Sequence, residues 1–127
     1  MLLQDDINSS GTVMWRAHTN ATVTISSSGT SATLALDGQT MEVTMVNPPS
    51  GATFTTGEAV RLSSDPALPT GQTDQPNPGV TVLMINLPAG QYSLQILLNP
   101  QWPGLSSSSY VTPKSVPLSS WSVTSHN

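Results

Sequence analysis

The side chains best suited to chemistry lie in the segment Asn99-Pro100-Gln101-Trp102-Pro103-Gly104, at the start of a loop predicted over Asn99–Pro117. A tryptophan between prolines can expose a flat aromatic surface, which stacks on the apolar C–H face of a sugar ring. The amides of Asn99 and Gln101 are suited to hydrogen-bonding sugar hydroxyl groups. The alternative is that Trp102 is a loop aromatic that only covers the end of the fold.

A second long loop is predicted over Ser63–Gly79, and it is rich in proline and hydrogen-bond acceptors. Proline fixes φ and lowers the entropy of the unfolded chain, so such a loop can be ordered without regular secondary structure. We therefore predict a carbohydrate site anchored by Trp102, with hydrogen bonds from both loops, supplied by Asn99, Gln101, Asp74 and Asn77. The alternative for both loops is a surface connection with no ligand.

Catalytic groups are scarce in the sequence. The histidines are His18 and His126, and the second is next to the C-terminal residue. A Ser-His-Asp triad would have to use His18, but no nucleophile signature adjoins it and the Gly-x-Ser-x-Gly motif is absent. Glu42 could join a carboxylate pair for glycoside hydrolysis, yet it lies on the polar face of a predicted strand. There is no cysteine. We expect no catalytic residues, no cofactor and no enzyme activity.

Asp5 and His18 are the candidates for metal ligands. The two side chains could meet across adjacent strands, but two ligands do not complete a tetrahedral site. The simpler interpretation of His18 is a hydrogen-bonded residue at the end of a strand. We therefore predict no metal site.

Apolar and polar residues alternate along much of the chain, which predicts strands. The clearest alternation runs over residues 21–46, where Asp37-Gly38 suits the positive φ angles of a type I′ turn. Ser31–Leu36 and Gln39–Val46 are therefore predicted to form a hairpin. With the strand before Gly29, they give a three-stranded antiparallel meander.

A second strand pair is predicted after the proline-rich loop. Val80–Leu87 is apolar on both faces, which is typical of a strand covered on both sides. Pro88-Ala89-Gly90 then turns the chain into the alternation of Tyr92, Leu94, Ile96 and Leu98. Shorter strands are predicted, with Trp15 and Trp121 in the core, over Thr12–Arg16, Ala59–Leu62 and Ser119–Thr124. About eight strands and no convincing helix indicate one all-β domain over residues 1–127, an antiparallel β-sandwich.

The charge balance excludes several classes of partner. Only 8% of the residues are charged, and the formal net charge is −4. Such a chain repels phosphate backbones, anionic lipid and highly acidic glycans, so we expect no nucleic-acid and no membrane partner. No apolar run approaches the roughly 18–20 residues of a membrane span. The start of the chain has no hydrophobic signal region of the usual length. The sequence assigns no cellular compartment, and secretion as part of a larger precursor is one alternative.

Several short motifs follow one another in a fairly specific order. Gln4-Asp5-Asp6-Ile7 precedes Met14-Trp15-Arg16-Ala17-His18-Thr19, and Asn47-Pro48-Pro49-Ser50-Gly51-Ala52-Thr53-Phe54 follows the meander. Asp74-Gln75-Pro76-Asn77-Pro78-Gly79 and Leu98-Asn99-Pro100-Gln101-Trp102 come later. In this order the motifs resemble the C-terminal β region of heparinase II/III-like proteins, with the fungal members most similar. The resemblance spans nearly the whole chain.

The resemblance implies a β domain that follows the catalytic toroid of enzymes that cleave uronic-acid polysaccharides. The toroid, with its catalytic Tyr and His, has no counterpart in this sequence, so the resemblance implies a non-catalytic domain. Some members hold a structural metal through a His, an Asp and a His in a Trp-x-x-His setting. Trp15-Arg16-Ala17-His18 is similar to the last element and Asp5 to the Asp, but the upstream His has no counterpart.

The sequence is therefore consistent with three functions. The first is a non-catalytic carbohydrate-binding, lectin-like β-sandwich. The second is a C-terminal structural fragment of a polysaccharide lyase, and the third is a structural or interaction protein. A homodimer is also expected, because a domain separated from a larger protein leaves an apolar face that a second copy can cover.

Overall fold

The computed structural model describes residues 1–106, 109–111, 113–122 and 124, and strands dominate it up to Gln101. The strands are β1 (Leu2–Ser9), β2 (Val13–Thr19), β3 (Thr22–Ile25), β4 (Ser31–Leu36), β5 (Gln39–Met45), β6 (Phe54–Glu58), β7 (Thr81–Leu87) and β8 (Gly90–Gln101). A short 3₁₀ helix spans Leu118–Ser120. In the described part of the chain no helix is long and apolar enough to cross a membrane.

The strands form two antiparallel sheets. One has five strands in the order β1-β8-β5-β4-β3, and the other has three in the order β2-β7-β6. The fold is therefore an all-β sandwich of eight strands, as the alternating patterns predict. The meander of β3, β4 and β5 is also confirmed. The two predicted core strands, β7 and β8, are present, but they do not form the predicted pair, because they belong to different sheets.

The core lies between the inner faces of the two sheets. Its fully buried side chains come mainly from β7 and β8, with Leu83 and Ile85 on one side and Leu94 and Ile96 on the other. Trp15 packs against this core, and its ring meets Phe54 edge-on with centroids 6.4 Å apart. The prediction that Trp15 belongs to the core is confirmed.

Strand β7 is covered on both faces, as its continuous apolar run predicts. Val82 and Leu83 are neighbours and so point to opposite faces of the sheet. Their exposed fractions are nevertheless 0% and 1%. Only Leu83 belongs to the core between the sheets, so Val82 is buried against the outside of the three-stranded sheet.

Strands β1 and β6 were not predicted, and two predicted strands, over Ala59–Leu62 and Ser119–Thr124, are wrong. Strand β1 was not predicted, because Asp5 and Asp6 interrupt its apolar pattern. Asp5 lies opposite the buried Leu94 and shares its face, but β1 is an edge strand and Asp5 stays exposed. An inward-facing charge at a sheet edge discourages pairing with other chains.

The strand predicted over Ala59–Leu62 is wrong, because β6 ends at Glu58. The backbone after β6 finds side-chain partners in place of a sheet neighbour. The Ala59 carbonyl accepts a bond from Asn77 Nδ2 at 2.9 Å. The Leu62 N–H donates to Asp65 Oδ2 at 2.7 Å.

The C-terminal strand predicted over Ser119–Thr124 is also wrong. Residues Leu118–Ser120 form the 3₁₀ helix, and Trp121 is 55% exposed, not part of the core. Its indole N–H donates to the Val116 carbonyl at 3.0 Å. Val123 and His126 lie outside the described residues.

Strand β8 runs three residues into the segment predicted as a loop, so Asn99, Pro100 and Gln101 belong to a strand. Strand β1 covers one side of β8 only as far as Leu97 and Leu98, which bond to the first residues of the chain. Beyond that point β8 pairs with β5 alone. Proline is tolerated at such an edge because one side needs no N–H donor.

The β4–β5 turn yields a test of the fold. Asp37 and Gly38 have φ angles of 49° and 75°, as a type I′ turn requires. We expect Gly38→Ala to lower the free energy of unfolding by about 1–2 kcal/mol, because a Cβ disfavours positive φ. Gly11→Ala is the matched control: a Cβ at either glycine meets no atom within 4 Å, and only Gly38 has a positive φ. Urea denaturation measures both, and equal losses would contradict the assigned turn.

Candidate ligand-binding groove

A groove opens at one end of the sandwich, beyond the strand ends of the three-stranded sheet. The β4–β5 turn, the β2–β3 connection and the end of β8 meet there. We call it the Trp102 groove. It has a volume of about 480 Å³ and is lined by Thr19, Ala21, Leu34, Leu36, Asp37, Gln39, Thr40, Met41, Pro100, Gln101 and Trp102.

The floor of the Trp102 groove is apolar because it continues the core. Leu34 and Leu36 follow the period of two that points side chains inward along β4. Leu34 is 9% exposed, whereas Leu36 near the end of the strand is 49% exposed. The sheet therefore extends past its cover. Met41 and Pro100, which are paired across β5 and β8, complete this apolar surface.

Trp102 forms a wall of the groove and is 62% exposed. It begins the turn Trp102-Pro103-Gly104-Leu105, which is closed by a bond from the Leu105 N–H to the Trp102 carbonyl at 3.2 Å. Gly104 has a φ of 82°, so proline and glycine occupy the central positions that a type II turn favours. The Trp102 N–H also donates to Tyr110 Oη at 2.6 Å. The backbone that carries this indole is thus fixed on both sides.

Polar groups surround the apolar floor. Gln39 and Thr40 come from the start of β5, Gln101 from the end of β8 and Thr19 from the end of β2. Thr40 and Gln101 pair with each other next to the floor pair Met41 and Pro100, so their side chains start from the outer face at the rim of the groove, where Gln101 Nε2 donates to the Asn99 carbonyl at 3.0 Å. Asp37 is the only ionisable side chain among the lining residues that the structure describes. The groove can therefore offer one aromatic surface and several hydrogen-bonding groups.

Two of the five residues predicted for the site, Trp102 and Gln101, line the groove together. Asn99 lies opposite Glu42, on the outer face of the five-stranded sheet, since the next pair along is the buried Val43 with Leu98. Its side chain is not part of the lining.

Asp74 and Asn77 lie in the loop between β6 and β7. Asp74 Oδ2 is 3.8 Å from Arg61 Nε, and Asn77 Nδ2 bonds to the carbonyls of Ala59 and Gln75. These contacts hold the loop to itself. The loop leaves the sheet at the same end as the groove, because Glu58 pairs with Thr81 and Thr81 with Thr19. Neither residue lines the groove.

Sequence reasoning missed the residues of the β4–β5 hairpin that line the groove. The turn at Asp37-Gly38 was predicted, but nothing in the sequence says that β8 lies beside β5. Because β8 pairs with β5, Trp102 lines the same groove as Leu36 and Gln39. An apolar residue next to an exposed turn, such as Leu36, is the one local signal of this surface.

The two candidate metal ligands lie in different sheets. Asp5 is in β1 of the five-stranded sheet, and His18 is an exposed residue of β2 in the three-stranded sheet. Strands β1 and β2 do not pair, so the two side chains do not face each other across adjacent strands. Among the described residues, no three His, Asp or Glu side chains are grouped so that they could hold a metal ion.

No protein-family model, no curated protein and no solved structure matches this chain. The resemblance to heparinase II/III-like proteins therefore stays a prediction.

The exposure of Trp102 predicts that it is dispensable for folding. We expect Trp102→Ala to change the free energy of unfolding by less than about 0.5 kcal/mol, as for other exposed positions. Trp15→Ala, which removes a ring packed on Phe54 and the core, should cost about 2–4 kcal/mol. Urea denaturation followed by circular dichroism compares the two variants. A loss at Trp102 equal to that at Trp15 would show that Trp102 belongs to the core.

Proposed function

We propose that this protein is a non-catalytic carbohydrate-binding β-sandwich that takes an oligosaccharide in the Trp102 groove. The observation that carries the proposal is an exposed indole in the wall of an open groove with polar groups around it. Sugars need this combination, because their rings have apolar C–H faces and hydroxyl edges. The groove volume of about 480 Å³ suits a short oligosaccharide.

The rigidity of the Trp102 backbone supports this proposal. Binding costs less when the contacting groups are already ordered, since less conformational entropy is lost. The Trp102-Pro103-Gly104-Leu105 turn and the bond to Tyr110 Oη supply that order before a ligand arrives. Strand β8 anchors the turn, because its pairing with β5 continues as far as Gln101.

The groove also supports the non-catalytic part of the proposal. Glycoside hydrolysis uses two carboxyl groups on either side of the scissile bond. Lyase chemistry needs a base, an acid and a group that neutralises the uronate. Within the described lining, Asp37 is the single group that can ionise. One exposed carboxylate satisfies neither requirement.

A second candidate is a structural or interaction role, favoured by the apolar floor. Leu36 and Trp102 are both large, exposed and in the same groove. A further polypeptide, such as the remainder of a lyase or a second copy in a homodimer, would bury this surface. Light scattering over micromolar to millimolar concentration distinguishes the homodimer, which predicts a doubled mass, from the free groove of a monomer.

The binding test compares two exposed tryptophans. Trp102→Ala should weaken oligosaccharide binding by about ten- to a hundredfold, because stacking on a sugar contributes on the order of 1–3 kcal/mol. Trp121→Ala is the matched control, since Trp121 is 55% exposed and lines a separate cavity with Lys114 and Val116. Glycan-array screening followed by calorimetry measures both. Equal affinity of the Trp102 variant and the wild type would place the site elsewhere.

The absence of catalysis is tested separately. We expect the purified protein to release no unsaturated uronate from heparan sulfate, alginate or glucuronan, since the groove offers no acid–base pair. Ultraviolet absorbance of the product follows the reaction. Growth of that absorbance with the pure protein would overturn the non-catalytic part of the proposal.

A further inference from the structure

We infer that the Trp102 groove selects uncharged oligosaccharides and excludes those that carry carboxylate or sulfate groups. This inference rests on the proposed function and names the ligand class of the same site. It depends on where the few charges of the chain lie, which the fold determines.

The charge at the groove is negative. Asp37 stands at the tip of the β4–β5 hairpin, is exposed and belongs to the lining. Glu58 ends β6 opposite Thr81, which in turn pairs with the lining residue Thr19. A second carboxylate therefore lies at the same end of the sandwich. Both carboxylates belong to a chain whose formal net charge is −4.

None of the three cationic side chains belongs to the groove lining. Arg16 pairs with Met84, out of phase with the inward-facing Leu83 and Ile85, so it lies on the outer face of the three-stranded sheet. Arg61 follows Glu58 in the loop at the groove end of the sandwich, but its Nε lies 3.8 Å from Asp74 Oδ2, so a carboxylate of the same loop offsets its charge. Lys114 lines the separate cavity with Trp121.

This distribution matters because recognition of an anionic sugar requires a cation. Carboxylates and sulfates bind through charge-assisted hydrogen bonds, most often from arginine or lysine. The groove instead offers the amide of Gln39 and the hydroxyl of Thr19, which are in phase with the inward-facing residues of their strands and suit neutral hydroxyl groups. Asp37 accepts hydrogen bonds from such hydroxyls and repels a uronate. Asp37 thus favours neutral oligosaccharides and disfavours those that carry uronic acids.

The test uses ligand pairs that differ only in charge. β-1,4-linked hexamers of glucose, mannose and galactose are each compared with their C6-oxidised uronic acid forms by calorimetry. For any pair that binds, we expect the neutral form to bind about three- to tenfold more tightly at low salt, the size of a few water-screened repulsions. The preference should shrink at physiological salt, where the screening length falls to about 8 Å.

Variants assign the preference to Asp37. Asp37→Asn keeps the turn, because Asn tolerates positive φ in a type I′ hairpin, and it should reduce the neutral-to-uronate affinity ratio severalfold. Asp6→Asn makes the same change in net charge on an exposed edge-strand residue outside the groove and should leave the ratio unchanged.

The outcomes separate this inference from the proposed function. A neutral hexamer that binds more tightly than its uronic acid form, with the ratio reduced by Asp37→Asn, supports the inference. Equal or tighter binding of a uronic acid form, or an unchanged ratio in Asp37→Asn, overturns it and leaves carbohydrate binding standing. Failure of all six hexamers to bind overturns the proposed function, and the inference falls with it.

Discussion

The rest of the structure depends on one shared core, into which β7 and β8 bury side chains from opposite sheets. Only Pro88 and Ala89 separate the two strands, so the chain passes from one sheet to the other in a single step. Tyr92 Oη donates to the Pro88 carbonyl at 3.0 Å and braces this connection. A Cβ at Gly90 would lie 2.8 Å from the same hydroxyl oxygen, which explains the glycine there. The inner faces of β7 and β8 are buried, and cross-strand partners share a face. The register of the neighbouring strands therefore determines which of their side chains point inward.

The groove follows from the unequal size of the two sheets. Strand β8 has 12 residues and continues past the end of β1, while the facing sheet has only three strands. At that end the inner face of the larger sheet loses its cover, and Leu36 becomes exposed although it is in phase with the buried Leu34. The turn after β8 sets Trp102 beside this surface. An apolar floor and an aromatic wall therefore arise from the same mismatch that leaves polar strand ends around them.

Local signals in the sequence predicted the fold class, most of the strands and part of the site. The period of two identified β3, β4, β5 and most of β8, because each has one buried face, and a continuous apolar run identified β7, which is buried on both faces. The period of two failed at β1, where Asp5 faces inward at an uncovered edge, and after β6, where side-chain bonds replace the sheet ladder. Trp102 and Gln101 could be chosen from their loop-like setting. Their neighbours Leu36 and Asp37 could not, because strand order is a long-range property with no local signature.

The central claim is that an oligosaccharide stacks on Trp102 in the groove. An NMR titration of the ¹⁵N-labelled protein with the neutral β-1,4-linked hexamers tests it most directly, since the three tryptophans give separate indole N–H signals. We expect the Trp102 indole signal to move together with the backbone amides of Asp37, Gln39 and Thr40, while the signals of Trp15 and Trp121 stay in place. A titration that shifts the Trp121 signal and leaves that of Trp102 unmoved would contradict it.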